Sequence, residues 1–182
     1  MYIGSTVANM AWLFFWHYNL FTLSLVAMLA LLVLLIMIIQ RLRPGRENIS
    51  KIEKWTVDIP FESYLGWICI ATIANITDVL SFYRWDGFGV DPVTWALIML
   101  TVGVLLVVLI HTHQKSLAIP IVFIWAYIGI GVKFITLRQY SISAWVMAIL
   151  IAFMIYTMDL GKKIKAGSEI LPPGLSDSDR SN

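Results

Sequence analysis

The sequence predicts an all-α fold: a polytopic transmembrane helical bundle with five full spans and a short N-terminal helix. Three observations carry this. Of 182 residues, 59% are hydrophobic and 13% charged, where a soluble domain has about 25% charged. The mean hydropathy is +0.81. Apolar stretches of one-span length, roughly 20 residues, recur along the chain. A formal net charge of +2 excludes a nucleic-acid binder driven by charge. The lone cysteine, Cys69, cannot close an internal disulfide.

The first apolar stretch, Val7–Ile39, would be about 50 Å long as one helix, too long for a hydrocarbon core of about 30 Å. His17-Tyr18-Asn19 is its only polar cluster. The spacing therefore predicts a short helix to about Trp16, a turn, and a full span over Leu20–Ile39. Four more spans follow: Phe61–Phe82, Val93–Ile110, Leu117–Thr136 and Ser141–Leu160. Pro60 marks the start of one, and Asp91 can cap another with Pro92 in its first turn. Ala144, Ala148 and Ala152 recur every four residues on the last, a helix-packing signal. The division is a transmembrane domain over 1–161 and a flexible tail over 162–182.

Lys and Arg set the orientation. Only Arg84, Lys133 and Arg138 fall opposite the basic loop between Gln40 and Pro60. That loop and the C-terminal tail are expected to be cytoplasmic, in the cell (plasma) membrane.

Polar residues inside a bilayer carry the functional information. Tyr64, Trp67, Ala71, Asn75 and Asp78 follow helical spacing and share one face. An amide there must meet protein, water or ligand. It either walls a polar pocket or bonds a neighbouring helix. Asp78 and Lys133 each lie near the same end of their helices. They either pair at one depth, or Lys133 snorkels to the headgroups while Asp78 reaches water. His111 and His113 read as residues of a short loop, and His17 as an interfacial ring; no metal site is expected. No nucleophile elbow, phosphate-binding loop or clustered carboxylate pair occurs, so the chain is not read as an enzyme.

Tyr64-Leu65-Gly66-Trp67, then Ala71-Thr72, then Asn75, resembles the last helix of the tryptophan-rich sensory protein family (the translocator protein, or peripheral benzodiazepine receptor, family). Asn9-Met10-Ala11-Trp12, followed by Phe14-Phe15, is similar to that family's third helix. The resemblance covers about residues 5–83, with three extra helices over about 93–160. It implies a distant bacterial branch, shortened at its N-terminus, since the family's first two helices have no counterpart before Met1. It also implies a membrane bundle that binds tetrapyrroles, and in some members sterols and aromatic drugs. Carried over, Asn9, Trp12, Trp67, Ala71 and Asn75 are the ligand-binding candidates.

The expected function is non-covalent binding of a flat hydrophobic ligand such as a tetrapyrrole, in a sensory membrane protein. No cofactor is required, and porphyrin or haem fits as ligand. The alternative is a non-catalytic membrane subunit or permease-like component acting by helix assembly. Expected partners are the lipid bilayer, a hydrophobic small molecule, and a second copy or another membrane protein, with no nucleic acid.

Overall fold

A computed structural model describes residues 1–42, 50–114 and 116–169. The described residues form a helical bundle with no strand. Its helices are α1 (Tyr2–His17), α2 (Phe21–Leu42), α3 (Ile59–Phe82), α4 (Pro92–Gln114), α5 (Ala118–Lys133) and α6 (Arg138–Glu169).

The turn between α1 and α2 falls at the polar cluster that length alone required. Asn19 takes φ 57°, the left-handed region that asparagine tolerates better than most residues. The Leu20 amide closes the turn on the Phe15 carbonyl at 2.8 Å. Pro60 sits in the first turn of α3, as expected, but the helical backbone starts earlier. Ser50 caps a helical lead-in by accepting the Glu53 amide at 3.1 Å, an S-x-x-E signature legible in the sequence. The lead-in passes through one π turn, Lys54–Asp58, into α3. Proline has no N–H to donate and its ring crowds the carbonyl four residues back. Widening the preceding turn accommodates both.

Asp91 caps α4 as the sequence predicts. One carboxylate oxygen accepts the Val93 and Thr94 amides at 2.9 and 3.0 Å, and the Thr94 hydroxyl donates to the other. These bonds, the Thr94 hydroxyl foremost, hold the Asp91 carboxyl below its ordinary pKa.

Among the described residues four helices are long and apolar enough to cross a membrane, Phe21–Leu42, Lys51–Phe82, Pro92–His113 and Arg138–Gly161, and the remaining expected span is a shorter apolar helix, Ala118–Lys133. Helix α5 has 16 residues, about 24 Å, because the chain turns at Phe134–Leu137 and the first turn starts only at Ala118. The final helix runs to Glu169; residues 170–182 of the expected tail lie outside the described ones.

Packing runs α1 on α2, α2 on α3, α3 on α5, α5 on α6 and α6 on α4. Met28 and Leu31 of α2, Leu65 and Ile68 of α3, Ile119 and Phe123 of α5 and Ile151 of α6 are fully enclosed. Although α3 and α4 are consecutive, they barely touch. Helix α3 approaches α5 closely at Gly66, where an added Cβ would stand 3.3 Å from the Ile119 Cα. On α6 the buried stripe is Ala144, Ala148, Ile151 and Ile155. Ala152 is turned out to the surface, because each four-residue step drifts about 40° around the axis. A three-residue step to Ile151 corrects the drift.

Gly66→Val should separate α3 from α5 and lower the thermal unfolding midpoint in detergent, an overpacking effect of about 1–3 kcal/mol. Gly4→Ala should not lower the midpoint, because its Cβ meets Leu34 at an ordinary 3.5 Å and alanine suits a helix better than glycine. The Asp91 cap gives a pH signature of fixed sign. A depressed carboxyl pKa contributes stability that is complete above the ordinary aspartate value, about 3.9, and lost as pH falls through the lowered one. Asp91→Asn should flatten the acid limb of midpoint against pH while the neutral limb stays level.

Candidate functional site

The polar stripe of α3 lies at one border of the helix's buried face. Leu65, Gly66, Ile68, Cys69, Thr72, Asn75 and Val79 are the enclosed residues. The stripe shares only Asn75 with this set, and it turns Trp67 and Asp78 outward.

Asn75 is 3% exposed, and its Nδ2 donates to the Ser24 Oγ of α2 at 3.3 Å. Its Oδ1 has no partner. One bond to a hydroxyl occupies one end of an amide, so either orientation of the amide leaves the other end open. The indole Nε1 of Trp12 on α1 is likewise buried and unpartnered. Among the described residues these two are the buried side-chain polar atoms without a hydrogen bond. One is a donor and the other an acceptor. Both sit toward the end of the bundle opposite the basic loop: Trp12 about 8 Å along its helix from His17, Asn75 about 10 Å from Phe82. An unmet buried polar group costs about 1–3 kcal/mol.

Asn9 is half-buried, one turn before Trp12 on the same face of α1. Ala71 is half-buried against the core. Trp67 stands apart from Asn75. It is 44% exposed and packs against Trp125 of α5 in a tilted contact, with ring centroids 5.7 Å apart. Asp78 and Lys133 line one cavity of about 380 Å³ between α3, α4 and α5. No ion pair or hydrogen bond joins them to each other or to any other described residue.

The basic end holds a network that sequence reasoning missed. His111 and His113 are not in a loop: α4 stays helical through Gln114. His111 is 1% exposed. Its Nδ1 meets the Ser116 carbonyl at 2.9 Å and its Nε2 the Asp159 carboxylate of α6 at 3.3 Å. The Ser116 hydroxyl donates to Glu62 of α3. The ring therefore bridges α4 to α6, and Ser116 carries the chain of bonds on to α3. The signal available was the position of Asp159 and Glu62 at the basic ends of their predicted spans. No three His, Cys, Asp or Glu side chains cluster as metal ligands among the described residues.

A bundle of apolar helices enclosing a few polar side chains, two of them incompletely bonded, defines a multi-pass membrane protein with a polar interior. The chain belongs to the TSPO-like family: the family model described as TSPO-like protein matches residues 1–157. The match runs well past the residue 5–83 segment that carries the two motifs and takes in α1 to α5 and most of α6. No curated protein and no solved structure matches the chain significantly.

A double-mutant cycle should expose the missed network. His111→Leu and Asp159→Leu should each lower the unfolding midpoint, and the pair should lose less than the sum, with a coupling on the order of 1 kcal/mol.

Proposed function

We propose that this chain is a non-catalytic ligand-binding membrane protein of the tryptophan-rich sensory type. It holds a flat hydrophobic molecule such as a tetrapyrrole against α1, α2 and α3. The observation that carries the reading is the pair of open polar atoms, Trp12 Nε1–H and Asn75 Oδ1. A ligand with one acceptor and one donor on an otherwise apolar frame would satisfy both. A tetrapyrrole supplies pyrrole N–H donors, carboxylate acceptors and a broad apolar face for aromatic rings.

Asn9 adds a side-chain amide to the same face of α1, and Ala71 keeps the α3 wall low beside Asn75. Trp67, at the surface edge of the stripe, offers a ring to a ligand entering from the bilayer. The membrane is the plasma membrane. By the excess of Lys and Arg on the side of the 40–60 loop, that loop and the C-terminal tail face the cytoplasm. The Trp12 and Asn75 groups then lie in the outer half of the bilayer.

Quenching of tryptophan fluorescence by protoporphyrin in the detergent-purified protein tests this. Trp12→Phe keeps a ring and deletes only the N–H. Asn75→Ala deletes the amide. Each should weaken binding about tenfold, the equivalent of one hydrogen bond of about 1.4 kcal/mol. Trp55→Phe, in the exposed lead-in to α3, should leave it unchanged. Affinity unaltered in both Trp12→Phe and Asn75→Ala would refute the site.

A further inference from the structure

The cleft between α3 and α4 is a second site, separate from Trp12 and Asn75. Two cavities of about 370 and 380 Å³ meet there and share Thr77, Ala96, Met99 and Tyr140 as walls. They exist because consecutive helices fail to pack: α4 leans on α6, and α3 on α2 and α5. The upper cavity lies under the 83–91 loop, where Trp85 stacks on Trp95 with ring centroids 4.8 Å apart. The Trp95 Nε1 holds the loop by donating to the Gly87 carbonyl at 2.8 Å.

Asp78 and Lys133 face the lower cavity from α3 and α5. Both are exposed, and the Lys133 ammonium rests 5.3 Å from the Phe134 ring centroid. Two other polar groups of this wall are bonded within the protein. The Tyr127 hydroxyl donates to the Leu100 carbonyl at 2.7 Å and the Thr77 hydroxyl to the Ile73 carbonyl at 3.0 Å. The cleft thus presents one negative and one positive group with no hydrogen bond or close ion pair between them. Depth adds a second constraint. Lys133 ends α5, and Asp78 lies about 6 Å inside the end of α3, at the level of lipid headgroups. Below them the wall is apolar: Ile70 lies two turns deeper than Asp78 and, with Ile73, Ala74 and Leu100, lines the path toward the bilayer centre. Charges of both signs at headgroup depth over an apolar slot match a zwitterionic amphiphile.

We infer that the α3–α4 cleft binds a zwitterionic phospholipid of the phosphatidylethanolamine type. Its ammonium meets Asp78, its phosphate meets Lys133, and one acyl chain lies along Ile70 and Ile73. The assignment is independent of the tetrapyrrole site.

The test is native mass spectrometry of the full chain released from mixed micelles holding equal amounts of phosphatidylethanolamine and phosphatidylglycerol. The wild type should retain the zwitterionic lipid about fivefold over the anionic one, as one partly exposed ion pair gives. Asp78→Asn should reduce that preference to within about twofold. Lys133→Met, which removes the contact to the phosphate that both lipids carry, should lower retention of both without reducing the preference. Helical circular dichroism and protoporphyrin quenching should stay unchanged in each. Phosphoethanolamine without acyl chains should not displace the lipid. Equal retention by the wild type, an undiminished preference in Asp78→Asn, undiminished retention of both lipids in Lys133→Met, or displacement by phosphoethanolamine would each overturn the assignment. The wild-type comparison stands without the variants.

Discussion

Lipid offers no hydrogen bonds, so every polar group carried into the bilayer must find its partner inside the bundle. The constraint is visible residue by residue. Thr72 and Thr101 return their hydroxyls to the carbonyl four residues back. Tyr127 of α5 donates to the backbone of α4, and Ser141 of α6 to that of α5 at Gly131. Asn75 is the most demanding member of this set, since an amide brings more donors and acceptors than one hydroxyl can satisfy. Ser24 takes one end, which fixes how α3 is rotated against α2. That rotation in turn places Gly66 on α5 and turns Trp67 and Asp78 outward.

The two ends of the bundle are built differently. At the basic end, His111, Asp159, Ser116 and Glu62 link α3, α4 and α6 through side chains. At the opposite end the loop after α3 is held by Trp95 on Gly87, and α3 and α4 diverge. The molecule is therefore tied at one end and open at the other. Both the unmet polar atoms and the unpaired charges lie toward the open end.

Much of the fold was legible because bilayer thickness converts apolar run length into helix count. The break at His17-Tyr18-Asn19 and the Asp91 cap follow from local chemistry alone. The membrane bundle and the family were likewise legible, the family from the Trp67, Ala71 and Asn75 motif. The rest depended on tertiary placement. No spacing rule says that α5 stops at Lys133, or that Ile151 replaces Ala152 on the buried face, since both reflect how α5 and α6 meet. His111 looked like a loop residue because its partners, Asp159 and Ser116, come together only through folding. Helical spacing set Trp67 and Asn75 on one stripe, of which the structure encloses Asn75 and leaves Trp67 exposed. It could not tell that the buried sector begins between them.

The most direct test of the account is a double-mutant cycle at Ser24 and Asn75, with Ser24→Ala and Asn75→Ala made singly and together and reversible unfolding followed in detergent. If the amide is turned inward onto α2, the two changes share one hydrogen bond and couple by about 1 kcal/mol. Strictly additive losses would mean that Asn75 does not face Ser24, and would contradict the rotation of α3 on which both proposed sites depend.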